Sequence, residues 1–317
     1  MPIPSHLERD SVAFPRRAVH AAMADTDTLT RFLIDRTAVR GVHVRLRASW
    51  AEVRARAPAA PAAERLLGEA LAAAALLCGH LKAEGRLSLQ LRGTAALRML
   101  FAECTSAGTL RGIARSGPAW PTDFSLRDAG PGAMLAITIE TRASDQREPQ
   151  RYQGLVGLTA DTLDAALVDY FRQSEQLPTA LLLAADDRHA AGLMLQQLPE
   201  AGREDEAWER IEALFGTLGP AELLAAPAET LLWRLFHEDG VRLLSRQPLA
   251  FGCSCSAARV EAMLAGLGRE EALAAARSGQ AEVHCEFCGQ SYRLERAAIA
   301  AIFAQPRPLG PEPPGLQ

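Results

Sequence analysis

The chain has 317 residues, of which 48% are hydrophobic and 23% charged, and carries a formal net charge of −4. That composition suits a globular protein with a sizeable core and one or two domains. No apolar run approaches the length of a membrane span, and the negative charge argues against nucleic acid as the main partner.

Residues 1–25 contain Glu8, Arg9, Asp10, Arg16 and Arg17 and lack the apolar centre of a secretory signal. They are expected to be a mobile extension on a cytoplasmic protein, where thiols stay reduced and paired cysteines lean towards metal. Asp27 or Thr28 is placed to cap a short helix through Phe32 and Ile34. Arg40 to Arg47 alternates and predicts a strand, with His43 as a structural residue in it. Ala62 to Lys82 is rich in alanine and leucine and predicts a long buried helix, with Cys78 as a small core residue. Alternating or apolar runs follow at Gly85–Gly93, Leu97–Ala102, Leu110–Arg115, Met134–Glu140 and Tyr152–Leu158. They read as a meander of antiparallel strands. Cys104 lies at the end of one of them and has no assigned role.

Asp161 is the expected cap of a helix running to about Glu175, ahead of Pro178. Strands are expected near Leu181–Ala184 and Gly192–Gln197. Sheets interspersed with helices make residues 26–198 an α+β core domain, not a doubly wound one. No glycine-rich phosphate loop follows a strand.

Residues 199–250 read as a helical linker. Trp208, Ile211, Leu214, Phe215 and Leu218 recur at helical spacing, and Leu231, Leu232, Leu235 and Phe236 form a second set beside Trp233. Gly216, Gly219, Pro220 and Pro227 keep the helices short, so they need a surface to dock on. Two readings are open. Either the apolar face is permanently buried, or the segment is metastable and exposes Trp208, Ile211, Leu214, Phe215, Trp233 and Phe236 to other proteins when its neighbour loosens.

Residues 251–304 carry Cys253-Ser-Cys255 and Cys285-Glu-Phe-Cys288, separated by about thirty residues. Two tight thiol pairs predict one tetrahedral Zn²⁺ per chain, bound by Cys253, Cys255, Cys285 and Cys288. Gly289 follows the second pair, where a tight turn tolerates positive φ. The second pair alone matches a thioredoxin-like motif, but no strand–motif–helix unit surrounds it. Four thiolates on Zn²⁺ leave a formal −2, which His284 and Arg293 are placed to offset. The module has few large apolar residues, and a segment this small needs a metal or disulfides to fold. Residues 305–317, rich in proline, read as a disordered tail.

The Cys-x-Cys pair, the spacer, and His284-Cys285-Glu286-Phe287-Cys288-Gly289 resemble the redox switch of the heat-shock protein 33 family of chaperones. Four further blocks, Arg151–Leu163, Asp169–Thr179, Gly192–Gln197 and Leu232–His237, fit the same family in the same order. The one small departure is Ala160, where a glycine is common. The resemblance runs from about Leu29 to Phe303. It implies a holdase chaperone that works without ATP and is not an enzyme. Its zinc-bound reduced form would be inactive. Oxidation would form disulfides within Cys253–Cys255 and within Cys285–Cys288, release zinc and unfold the module and linker. The exposed apolar surface would then bind unfolding proteins. The resemblance also implies a homodimer when oxidised.

Three other readings compete. A zinc-ribbon nucleic-acid binder is disfavoured by charge. From Phe251 to Phe303 there are five arginines against six glutamates, where such modules carry a basic face. A thiol–disulfide oxidoreductase would need Cys285 and Cys288 free of metal. A constitutive zinc-stabilised interaction module would bind partners equally well reduced and oxidised.

Overall fold

The computed structural model describes residues 26–304, except 82, 118–119, 122, 142–149 and 199–204. The expectations for residues 1–25 and 305–317 lie outside the described residues. The fold is mixed α+β, built on two antiparallel-based sheets with one helix between them.

The five-stranded sheet has the order β10-β1-β2-β9-β8. Its strands are β1 (Thr28–Ile34), β2 (Val39–Leu46), β8 (Thr179–Ala185), β9 (Ala190–Gln197) and β10 (Val241–Pro248). The six-stranded sheet has the order β11-β5-β4-β3-β6-β7. It is made of β3 (Gly85–Arg92), β4 (Leu97–Thr105), β5 (Thr109–Ser116), β6 (Met134–Thr141), β7 (Gln150–Gly157) and β11 (Ala250–Phe251). Between the sheets lies α2 (Pro61–Cys78), packed on β2, β8 and β9 from one side and β3, β4 and β5 from the other. Its alanines explain the position. Ala70 and Ala72 to Ala75 are all buried, and a helix apolar all round belongs inside a core. The approach is close enough that a Cβ at Gly192 would stand 2.6 Å from Leu76 Cδ1.

The expected helix at Phe32 and Ile34 is the strand β1. Its side chains alternate, with Leu29 against α2 and Thr30, Phe32 and Ile34 on the opposite face, so a period of two prevails over the capping signal. Asp27 does cap a helix, but a distant one. Its carboxylate accepts from the backbone N–H of Arg47, Ala48 and Ser49 at 2.6–3.0 Å, at the start of α1 (Ala48–Arg56). Likewise α3 (Leu163–Tyr170) is capped by Thr162, while Asp161 pairs with Ser125 and Arg127. A π-helical turn, Phe171–Glu175, continues α3 to its expected end. Cys104 lies at the end of β4, as expected.

The stretch expected to be wholly helical holds α4 (Asp205–Phe215), α5 (Pro220–Ala225) and α6 (Ala228–Phe236), and then β10, which edges the five-stranded sheet beside β1. A strand went unread there because only Val241 and Leu243 of its alternating residues face apolar neighbours. The helices cover the face of that sheet turned away from α2. Trp208, Ile211, Phe215, Leu223, Leu231, Leu232 and Phe236 pack on Phe32, Ile34, Val39, Leu193 and Leu195. Each large side chain buried there contributes about 1.5–3 kcal/mol to docking.

The C-terminal elements are α7 (Ala257–Leu267), α8 (Arg269–Ala275), the hairpin β12 (Gln280–His284) and β13 (Ser291–Glu295), and α9 (Arg296–Ile302). Their separate core is small: Val260, Leu264, Ala272, Ala276, Ala281 and Ile299.

A candidate four-thiol metal centre

Cys253 and Cys255 lie in the turn between β11 and α7. Ser256 caps α7 by accepting from Arg259 N–H at 3.3 Å, which fixes where the second thiol leaves the chain. Cys285 and Cys288 lie in the turn joining β12 to β13. Gly289 N–H donates to Cys285 O at 2.8 Å with φ +73° at Gly289, so the expected glycine turn is present.

The two turns meet. All four Sγ atoms lie within 4.8 Å of one another, with Cys253 to Cys285 at 3.6 Å and Cys255 to Cys288 at 3.3 Å. A tetrahedral metal with sulfur bonds of about 2.3 Å has sulfur–sulfur edges of about 3.8 Å, so the donor set fits such an ion. All four are partly exposed and none is in a disulfide.

The sulfurs sit in unequal surroundings. The Tyr292 hydroxyl donates to Cys255 Sγ at 3.1 Å and brings that thiol down to about 7. Burial, chiefly, pushes Cys288 up to about 12 and raises Cys253. Cys255 is thus the thiol most ready to ionise, while burial holds Cys253 and Cys288 in the protonated form. A divalent ion held by these four sulfurs would favour the thiolate form of each.

The module rests on the outer face of β4 and β5. Arg111, directly opposite Glu103 in the sheet, donates to it at 2.8 Å. The same guanidinium lies 4.5 Å from the Phe287 ring centroid and 4.0 Å from Cys253 Sγ. Phe101 meets Phe287 edge-on at 5.5 Å, and Arg115 pairs with Glu286. Just before the cysteines, β11 runs parallel to β5 and Gly252 N–H donates to Leu110 O at 2.9 Å.

His284 and Arg293, expected to offset the thiolates, face elsewhere. His284 Nδ1 is 2.7 Å from Ser291 Oγ, and Arg293 donates to Glu282. Arg111 and Tyr292 make the polar contacts to sulfur instead. Nothing in the sequence marks Arg111, which lies about 140 residues upstream. Tyr292 could have been found from its place opposite Val283 in the hairpin. Of the surface candidates, Trp208, Ile211, Phe215 and Phe236 are buried and Leu214 half-buried, whereas Trp233 is already 56% exposed.

Sheets enclosing one helix and a peripheral four-cysteine cluster define a folded core carrying an appendage whose thiols fit a metal ion. The family described as Hsp33 protein matches residues 27–295. The 33 kDa chaperonin of Pseudomonas fluorescens is 43% identical over 288 residues, covering 88% of this chain and 94% of that protein. That of Ectopseudomonas mendocina is 44% identical over 286 residues, covering 88% and 95%. The crystal structure of the 33 kDa chaperonin (heat shock protein 33 homolog) from Thermotoga maritima superposes with a TM-score of 0.75 at 23% identity, covering 88% of this chain and 98% of that one. The chain belongs to the Hsp33 family, a family of chaperones and not of enzymes. Among the described residues no helix is long and apolar enough to cross a membrane.

Proposed function

We propose that this chain is a cytoplasmic, redox-regulated holdase that captures unfolding proteins without ATP, held inactive by one Zn²⁺ on Cys253, Cys255, Cys285 and Cys288. The observation that supports the reading is the convergence of two thiol pairs about thirty residues apart, with all four sulfurs within 4.8 Å of one another. Zinc in such a site supplies roughly 10–16 kcal/mol of apparent folding free energy, against about 5–15 kcal/mol for a whole domain. A module with so small a core depends on that term.

Oxidation within Cys253–Cys255 and within Cys285–Cys288 removes the ligands and leaves two short loops in place of a long-range tie. Phe287 and Glu286 then leave Arg111 and Arg115. The helices α4 to α6 dock chiefly on the five-stranded sheet, not on the metal module. Their loosening is therefore relayed along the chain, through β11 and then β10, the strand edging the surface on which they lie. In this reading residues 26–198 are the core, 199–250 the metastable linker and 251–304 the switch. Trp208, Ile211, Leu214, Phe215 and Phe236 become the client surface beside Trp233. The opened form pairs as a homodimer.

The test is a paired measurement of zinc content and suppression of aggregation of a denatured test protein, before and after peroxide with mild heating. Capture confined to the zinc-free oxidised form is expected. Equal capture in both states would favour a constitutive binder.

A further inference from the structure

The seam between the five-stranded sheet and the helices α4 to α6 is not wholly apolar. Thr30 on β1 and His43 on β2 stand directly opposite each other, on the face that also carries Phe32 and Ile34. Helix α6 packs over β2 and β10, and its Glu229 pairs with Arg246, the neighbour of Thr30 on β10. Thr30 and His43 are both fully buried, yet the Thr30 hydroxyl and both ring nitrogens of His43 have no hydrogen-bond partner. Asp239, which follows α6, is 3% exposed. One of its carboxylate oxygens accepts from Arg210 of α4, and the other has no partner. Of the seven buried side-chain atoms without a partner among the described residues, four therefore lie in this one seam.

We propose that Thr30, His43 and Asp239 form a built-in weakness that sets how readily α4, α5 and α6 leave the sheet. A buried polar group without a partner has lost its water and gained no hydrogen bond in exchange. That loss is recovered when the helices lift and water returns. The apolar side chains Trp208, Ile211, Leu223, Leu231 and Phe236 hold the helices down, and the four polar atoms oppose them. The Arg210–Asp239 pair adds little to the holding side. Its carboxylate is buried while its guanidinium is about half exposed, and the desolvation of a buried ion offsets the attraction of its partner. None of the three residues belongs to the four-thiol cluster, so docking strength can be altered with the metal site intact. On the holdase reading these residues set the threshold for capture. The strength of docking is measurable without a client.

The experiment follows hydrogen exchange of the backbone amides of residues 205–236 in the full-length, reduced, zinc-loaded protein, with the amides of α2 as the internal reference. Thr30→Val combined with His43→Leu replaces three unpartnered atoms by apolar groups. Exchange over residues 205–236 is expected to slow about tenfold relative to the parent chain. Arg210→Met combined with Asp239→Leu tests the fourth atom in the same way. Thr30→Val alone is the mildest change and should give part of the slowing. Exchange over residues 205–236 as fast as the parent's in all three variants, or faster with α2 unchanged, would overturn the proposal. Under peroxide with mild heating, the slowed variants should lose zinc as the parent does and capture a denatured test protein only at a higher temperature. Slowed exchange in the variants, with no capture even by the oxidised parent, would support the proposal and count against the proposed function instead.

Discussion

The Arg111 guanidinium lies 4.5 Å from the centre of the Phe287 ring, in the turn between Cys285 and Cys288. One cation thus touches the aromatic tip of the metal knuckle, approaches Cys253 sulfur and is itself held by Glu103. The four-thiol cluster and the docking of the module therefore share a residue.

Replacing Arg111 with Gln should leave zinc at one per chain and make its loss easier. A cation–π contact is worth about 0.5–2 kcal/mol, so zinc release under a fixed peroxide dose should quicken several-fold. Release followed with a colorimetric chelator checks this, and an unchanged rate would mean that the contact does not restrain the module.

In the reduced cluster the short sulfur contacts cross between the pairs, Cys253 to Cys285 and Cys255 to Cys288. Disulfides in that arrangement would keep the two turns tied and the module closed. Disulfide mapping of the active form should find the local pairs instead, Cys253–Cys255 and Cys285–Cys288. Crossed pairs in a fully active sample would contradict the proposed opening.

Ile211 is wholly buried between α4 and the five-stranded sheet. Ile211→Asp places an unpaired charge there, at a cost of several kcal/mol that exceeds what short helices can bear. The reduced, zinc-loaded variant should capture clients without oxidant in an aggregation assay. Trp233→Ala, at an exposed position, should leave the reduced protein silent.

Protonation of His43 should loosen the same helices. The imidazole is fully buried in a row formed by Arg246, Thr30, His43 and Leu193 across four strands, and neither ring nitrogen has a partner. Burial first, then Arg45 and Arg246, brings it from 6.5 to about 4, and Glu229 of α6 pairs with Arg246 above it. The docked state holds the neutral ring, and undocking lets it take up a proton. Docking is therefore at full strength above about pH 6.5 and weakens as pH falls towards 4, by about 2 kcal/mol at pH 5. Limited proteolysis of residues 205–236 against pH should show this, and His43→Leu should flatten the profile. His80, brought to about 3 chiefly by burial, leaves a residual slope of the same sign in whole-protein melting.

The clustering of four thiols was legible because cysteines at tight spacing in two pairs commonly share one site, and the central helix because its alanines leave no polar side. Other features depend on distant partners. Asp27 looked like a local cap because a capping residue is normally read against the next few positions, yet its carboxylate serves a helix about twenty residues on. Thr28–Ile34 became a strand because both faces are covered, one by α2 and the other by α4 to α6. Arg111 carries no local signal, since its role comes from chain folded against it from much later in the sequence.

Between Val241 and Phe251 one continuous stretch borders first one sheet and then the other. Peeling it away would bare more than oily side chains. The N–H and C=O groups of β1 and of β5 would lose their partners, and two open rims would stand ready to pair with any extended polypeptide. The activated molecule would then grip a client through its main chain, largely indifferent to sequence. A captured peptide with N-methylated amides should be held more weakly than its unmodified counterpart.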